Sequence, residues 1–353
     1  MTRFYLFLLN EFKLARTAIP IHMVAILQPS ILFLFLSFIL VHPTFKVNVS
    51  QPLMDEGHVL VEAMEQVGSP IGADYIDPII VDSKELGDLR QIITVKERDG
   101  VPTAVQQYGL IDSNQVKNLR NRLTAAALHL WNAELKGRAL SIKEHTWLPY
   151  DAPYTVYFGM ALLPMAAFVA AAIIGGVLTA QDFELKTTLE YRLSPVSPVL
   201  ILGARLVRLV LSSLLSACML LVVAGLVTGF WPGNIWRLGG VLLTIAIMAS
   251  CMGIILGLLF RSTIPAYISG LSLALAGWIF GGGFALASGF GGVYERISRL
   301  TPNAHAVELC FPAFYRVEIG NPLRSALVLI VFSVISLSLL FFTYRWRVTK
   351  QAY

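Results

Sequence analysis

Six stretches of this chain are long, apolar and almost free of charged side chains, and this pattern constrains the fold more than any other feature. A helix that crosses a membrane needs about 20 mostly apolar residues. The composition agrees, since 56% of the 353 residues are hydrophobic and only 14% are charged, with a mean hydropathy of +0.68. We therefore predict a mainly α-helical, polytopic membrane protein. The six expected transmembrane helices are Val24–Val41, Tyr154–Ala180, Val199–Gly229, Leu238–Phe260, Ile264–Gly283 and Ser325–Tyr344.

Residues 1–42 are predicted to hold an interfacial helix and the first transmembrane helix. Thr2–Thr17 alternates apolar and polar residues at helical spacing, which is typical of an amphipathic helix lying on a membrane surface. A cleaved signal peptide is the alternative. The apolar run ends at Leu40-Val41-His42-Pro43 without a small-residue cleavage site, which favours an uncleaved helix.

Residues 43–153 differ in kind, because they carry most of the acidic side chains and have the length of a small domain. Asp99-Gly100 separates two strand-like runs, Arg90–Arg98 and Val101–Tyr108, and predicts a hairpin. Tyr75–Val81 reads as a further strand, and Ser113–Gly137 reads as a helix that ends at a glycine. These patterns predict a compact α+β domain.

The chain carries no signature of catalysis or of metal binding. It has no GxxxxGK[ST], HExxH or GxSxG motif, and its three cysteines form no CxxC pair. We therefore expect no catalytic, cofactor-binding or metal-binding residues. The expected membrane helices are also poor in ionisable residues, which argues against a proton- or sodium-coupled carrier. The pI near 9.1 is explained by lysine and arginine beside the membrane helices, and no nucleic-acid partner is expected.

The lysine and arginine distribution predicts the orientation in the bilayer. Arg3, Lys13 and Arg16 precede the first membrane helix, and Arg345, Arg347 and Lys350 follow the last. Six crossings put these groups on one side, so both termini are expected in the cytoplasm and residues 43–153 outside. Residues 154–353 would form a five-helix transmembrane domain. Its outer loop, residues 284–324, is rich in glycine and half apolar, which fits either a re-entrant segment or an interfacial loop.

A polar island, residues 181–197, lies between the second and third expected membrane helices. Phe183–Leu193 reads as about three helical turns, and prolines follow it. Because a few residues suffice to turn the chain round, we predict that this segment is a cytoplasmic helix that contacts another protein. Its candidate contact residues are Phe183, Glu184, Lys186, Thr188, Leu189, Glu190, Arg192 and Pro195.

The order of these segments resembles the ABC-2 type permeases, the membrane subunits of ABC exporters. Glu184-Leu-Lys-Thr-Thr-Leu-Glu190 with Ser194-Pro195 is similar to the family's E-x-x-G-T-x-E…S/T-P segment, with Thr187 in place of the frequent glycine. Ile297–Glu308, ISRLTPNAHAVE, is similar to the family's segment before the last membrane helix. The resemblance implies that the island is a coupling helix seated on a separate ATPase subunit.

The function that the resemblance implies is ATP-driven export by a non-catalytic permease subunit. It implies a P-loop ATPase partner that carries ATP and magnesium, and a second permease copy or paralogue, in a bacterial-type plasma membrane. The apolar membrane helices suit an amphipathic or lipid-like cargo, and the resemblance implies a hydrophobic drug, a peptide or a lipid. A membrane receptor or sensor with an extracytoplasmic ligand-binding domain, and a secondary carrier, remain the alternatives.

Overall fold

The computed structural model describes residues 2–17, 19–40, 45–50, 55–68, 74–81, 91–98, 101–108, 113–134, 154–188, 197–284, 292–316, 318 and 320–350. The chain forms two compact units. One consists of Met1–Ile39 with Tyr154–Tyr353, and the other is Leu40–Pro153.

The first unit is a helical bundle. Its short N-terminal helix is α1 (Thr2–Thr17). Within the described ranges, six helices are long and apolar enough to cross a membrane, which confirms the predicted mainly α-helical, polytopic fold. They are α2 (Ile19–Leu40), α5 (Tyr154–Glu184), α6 (Pro198–Thr228), α7 (Ile235–Phe260), α8 (Thr263–Phe280) and α11 (Pro322–Tyr344).

Helix α5 is the central helix of the bundle, since its most apolar stretch is fully buried and packs against α6, α7 and α8. Close approach of α5 and α7 depends on two glycines. A Cβ atom at Gly257 would lie 2.5 Å from the Gly176 carbonyl oxygen, and one at Gly253 would lie 2.6 Å from the Ala171 carbonyl oxygen. Small residues let membrane helices pack backbone against backbone, so these two positions set the separation of the pair.

Two short helices, α9 (Gly292–Ser298) and α10 (Pro302–Tyr315), connect α8 to α11. Helix α10 lies within the outer loop, residues 284–324, whose sequence fitted either a re-entrant segment or an interfacial loop. Most of its side chains are buried, and it packs against α5, α7, α8 and α11. At 14 residues it is about 21 Å long, too short to cross a bilayer. A segment that re-enters the bilayer must be surrounded by other parts of the protein. Helix α10 meets this condition, and a re-entrant loop stays a prediction.

The second unit is a small α+β fold built on a four-stranded sheet of order β2-β1-β3-β4. Its elements are β1 (Phe45–Ser50), α3 (Asp55–Gln66), β2 (Ile76–Val81), β3 (Gln91–Arg98), β4 (Val101–Tyr108) and α4 (Ser113–Glu134). Strand β1 is parallel to β2 and to β3, whereas β3 and β4 pair antiparallel with Arg98 opposite Val101. This register confirms the predicted hairpin; Asp99-Gly100 lies outside the described residues. Strand β1 and helix α3 were not identified from the sequence.

Candidate coupling site

The site lies at the end of the bundle where α5 finishes and α6 and α8 begin, called here the Glu184 end. The sequence predicts that this membrane helix ends at Ala180. In the structure, α5 continues through Glu184. The chain then turns, with Lys186 in the left-handed conformation at φ 59°. A left-handed residue interrupts a right-handed helix, so the predicted continuous helix from Phe183 to Leu193 is wrong. Its first residues belong to the membrane helix instead.

Thr187 closes this turn onto Asp182. Its hydroxyl oxygen lies 3.1 Å from Asp182 Oδ1 and 3.2 Å from the Asp182 carbonyl oxygen, and either oxygen can accept its hydrogen. Thr187 is the residue that stands where the resembling motif has glycine. A hydroxyl here therefore fixes a turn that glycine would leave freer.

Glu184 forms hydrogen bonds within the chain, to the first residue of α8. Its Oε1 accepts hydrogen bonds from the Thr263 amide at 2.8 Å and from the Thr263 hydroxyl at 3.3 Å. The first amide groups of a helix have no partner within the helix, so Glu184 satisfies one of them. The carboxylate expected to reach a partner protein thus joins α5 to α8.

Phe183 lies next to the same turn between α7 and α8. The Arg261 guanidinium carbon sits 5.3 Å from the centre of the Phe183 ring, a cation–π geometry. Arg261 is left-handed at φ 55°, and its amide donates to the Gly257 carbonyl at 3.0 Å, which ends α7. Two adjacent residues of α5, Phe183 and Glu184, therefore hold the α7–α8 turn.

A cluster of buried charges lies beside this contact. Arg205, near the start of α6, binds Asp182 Oδ2 at 2.5 Å through Nη1 and Glu11 Oε1 at 3.2 Å through Nη2. One turn further along α6, Arg208 donates to Glu11 Oε2 at 2.9 Å and to Nε2 of His22. The four helices α1, α2, α5 and α6 therefore meet at two arginines.

The cluster is balanced in charge and withdrawn from solvent. Glu11 is 4% exposed and Arg208 is 1% exposed. Two carboxylates, of Glu11 and Asp182, face two guanidinium groups. Removing one partner of a buried ion pair leaves an unpaired charge and costs about 3–5 kcal/mol. The arrangement therefore fixes the position of α1 on the bundle, beyond what an apolar face alone would do.

The predicted contact residues divide into four groups. Phe183 and Glu184 are tied to the α7–α8 turn, and Thr188 is half-buried beside a narrow cleft that Phe183 and Arg205 also line. Lys186 is exposed. Leu189, Glu190, Arg192 and Pro195 lie outside the described residues.

The sequence reasoning missed the residues that form the charge cluster, and it missed an exposed leucine in the turn. Two signals were present: Arg205 and Arg208 are spaced three apart in an otherwise apolar helix, and Glu11 is the one acidic residue in Thr2–Thr17. Two arginines retained in an apolar membrane helix need acidic partners, and Glu11 on the amphipathic α1 is one such partner. The missed residues are Glu11, His22, Asp182, Leu185, Arg205 and Arg208.

Comparison with known families agrees with this architecture. The model of a family described as "ABC-2 family transporter protein" matches residues 92–342, which is well over half of the chain. The match includes both segments that resemble the family's motifs, Glu184–Pro195 and Ile297–Glu308. The comparison with curated proteins finds no match. The chain therefore belongs to the ABC-2 family of transporter proteins, a family of multi-pass membrane permeases.

Proposed function

We propose that this chain is the permease subunit of an ATP-driven exporter and that it receives energy from a separate ATPase through the island, residues 181–197. Membership of the ABC-2 family supports a permease and, in general, an ATPase partner. ATP and magnesium would be bound by that partner, with hydrolysis there and no catalysis in this chain.

The observation that carries the proposal is the exposure of Leu185 and Lys186 between tethered neighbours. Leu185 is 73% exposed at the tip of the turn, and Lys186 is exposed beside it. Asp182, Glu184 and Thr187 on either side are held by hydrogen bonds within the chain. In this proposal the turn, fixed by its neighbours, presents one apolar and one cationic side chain to the surface of the ATPase.

The hydrogen bonds and ion pairs of Asp182 and Glu184 connect the turn to other helices, so a displacement of the turn by the ATPase would move those helices. Through Glu184 and Phe183, a displacement of the turn would be passed to the start of α8. Through Asp182 and Arg205 it would be passed to α6, and through Glu11 to α1. Buried ion pairs resist separation, so α1, α5 and α6 are expected to move as one body.

Several finer features belong to the same proposal. Two permease copies, or this chain with a paralogue, would present two islands to two ATPase subunits. Both termini and the island would face the cytoplasm, and residues 43–153 would lie outside. A cavity of about 300 Å³ among α5, α7, α8, α10 and α11, lined by apolar side chains such as Phe168, Met248 and Phe332, supports a hydrophobic or amphipathic cargo.

The test is purification of the tagged chain from its native membrane in mild detergent, followed by identification of what co-purifies. We expect a stoichiometric P-loop ATPase. Lys186→Glu should reduce the yield of the ATPase, because it reverses a charge on the exposed turn that the ATPase is proposed to contact. The substitution breaks no side-chain contact within the described residues, so the fold should be kept. Arg296→Glu is the matched control, since it reverses an exposed charge between α8 and α10, away from the Glu184 end.

Two outcomes would count against the proposal. If no ATPase co-purifies under conditions that preserve other membrane complexes, a receptor with its ligand site in residues 43–153 becomes the better hypothesis. If an ATPase co-purifies but both charge reversals have the same effect, the partner binds elsewhere on the chain.

A further inference from the structure

The cavity of about 300 Å³ lies inside the first unit, among α5, α7, α8, α10 and α11. Its volume is about twice that of an engineered protein cavity that holds one benzene molecule. It is also at the lower end of the range of small-molecule sites. The cavity therefore has room for a compact molecule or for one segment of a lipid, and it is too small for a whole phospholipid.

The walls of the cavity select against charge. Among the described residues that line it, none has an ionisable side chain. Most of the lining is apolar, with Met248 and Met252 on α7 and Phe332 on α11 as examples. A charged group in such surroundings would lack a partner, which is strongly unfavourable. A ligand of this cavity is therefore expected to be uncharged.

One polar side chain of the lining lacks a hydrogen-bond partner. Asn303, near the start of α10, borders the cavity and is 6% exposed. Its amide nitrogen Nδ2 is buried and forms no hydrogen bond within the described part of the chain. A buried donor without a partner is costly, and buried polar groups in proteins are as a rule paired. Because Asn303 borders the cavity, a molecule in the cavity can supply the missing acceptor.

The neighbours of Asn303 hold it in place without pairing with its amide. The Thr301 hydroxyl, which also borders the cavity, donates to the Ser298 carbonyl at 2.7 Å. A Cβ atom at Gly281, at the end of α8, would lie 2.7 Å from the Asn303 Cβ, so α8 and α10 approach closely here. Leu300 lines the cavity and is 75% exposed, so this end of the cavity is near the surface of the unit.

We propose that the cavity is a binding site for one uncharged, largely apolar molecule, and that the Asn303 amide donates a hydrogen bond to an oxygen atom of that molecule. A ketone, an ester or a hydroxyl oxygen can accept it. Binding at this site is independent of the ATPase, whereas the identification of the ligand with the exported cargo rests on the proposed function. A membrane lipid offers the same oxygen chemistry, and the experiment separates the two sources.

The experiment is photolabelling of the purified full-length chain with benzophenone, an uncharged diaryl ketone that inserts into nearby C–H bonds on irradiation. Mass spectrometry of peptides locates the labelled residues. We expect saturable labelling of Met248 and Met252, which line the cavity. Met23 on α2 is 55% exposed and reports labelling by probe dissolved in the surrounding detergent, which should not saturate.

Two competitors of matched shape test the role of Asn303. Fluorenone and fluorene share the same fused rings, and only fluorenone carries an oxygen atom. Asn303→Leu should weaken the protection of Met248 by fluorenone about five-fold, which corresponds to the loss of one hydrogen bond. It should leave the protection by fluorene unchanged. A purely structural role of Asn303 would change the protection by both competitors alike.

A second variant tests the location of the site without removing a polar group. Gly277 on α8 lines the cavity, and a Cβ atom there would meet nothing within 4 Å. Gly277→Leu should therefore fit, reduce the free volume and weaken the protection of Met248 by both competitors. The matched control is Gly239→Leu on α7, where a Cβ atom also meets nothing within 4 Å and which does not line the cavity.

Dioleoylglycerol, an uncharged lipid with ester and hydroxyl oxygens, separates the two sources of ligand. Protection of Met248 by dioleoylglycerol as well as by fluorenone assigns the site to a lipid. Protection by fluorenone alone assigns it to a compact molecule, as expected of a cargo. Labelling of Met248 that does not saturate, like that of Met23, would overturn the proposal. Equal protection by fluorenone and fluorene, with no effect of Asn303→Leu, would also overturn it.

Discussion

Glu11 and Arg208 lie 197 residues apart in the sequence, yet they form a buried ion pair of 2.9 Å. This pair attaches the N-terminal helix α1 to α6. Arg205 extends the attachment to Asp182, at the point where α5 runs into the island. The amphipathic sequence of α1 predicts a helix that lies on the membrane surface. These ion pairs make α1 part of the helical bundle as well.

Loss of the Glu11 carboxylate should destabilise the protein strongly. In Glu11→Gln the buried Arg208 keeps its charge without a carboxylate partner, and we expect a cost of about 3–5 kcal/mol. Unfolding in detergent, followed by intrinsic fluorescence, measures this. The control is Lys13→Gln, on an exposed position of the same helix, which should stay within about 0.5 kcal/mol of the wild type.

A double substitution separates the ion pair from the packing. Glu11→Met with Arg208→Met replaces both charges by apolar side chains, and it should recover much of the stability lost in Glu11→Gln. If the double variant loses as much stability as Glu11→Met and Arg208→Met lose in sum as single variants, the two residues act independently and the pair is not the unit of stabilisation.

The bond between Glu184 and Thr263 predicts an ordered series of variants. Glu184→Gln keeps an oxygen at the Oε1 position and should still accept from the Thr263 amide, so its unfolding temperature should stay near that of the wild type. Glu184→Ala leaves the start of α8 without this acceptor and should unfold at a lower temperature. Equal unfolding temperatures for Glu184→Ala and the wild type would show that this bond contributes nothing to the fold.

The close approach of α5 and α7 predicts a contrast between two glycines of one helix. Gly257→Ala places a Cβ atom 2.5 Å from the Gly176 carbonyl oxygen, so the helices must separate, at a cost of about 1–3 kcal/mol. At Gly239 a Cβ atom meets nothing within 4 Å, and Gly239→Ala should be neutral or stabilise by up to about 1 kcal/mol. The same unfolding assay measures both, and a similar loss for the two would contradict the assigned packing.

The membrane helices were predictable because their signal is local. A run such as Leu238–Phe260 needs no partner to be recognised, and the Asp99-Gly100 turn with its flanking strands is likewise contained in 20 residues or so. The contacts of the island were not predictable in this way. Glu184 reads as a free surface carboxylate until Thr263 is known to lie beside it, and Glu11 pairs with arginines almost 200 residues away.

The same distinction explains the error at Lys186. The spacing of apolar residues in Phe183–Leu193 favours one continuous helix. This spacing carries no information about the sign of the φ angle at a single residue. In the structure Lys186 is left-handed, and Asp182 shortly before it is held by Arg205 of α6 and by Thr187. The bond to Arg205 joins residues 23 positions apart, so the spacing of apolar residues within the island does not record it.

The measurement that tests the proposed coupling most directly is site-specific photo-crosslinking in the native membrane. A photoreactive amino acid at Leu185, which is 73% exposed at the Glu184 end, is compared with one at Leu300, which is 75% exposed between α9 and α10. The proposal predicts that a P-loop ATPase subunit is crosslinked from position 185 and not from position 300. Crosslinking of that subunit from neither position, or equally from both, would contradict the role of the island as the contact with the ATPase.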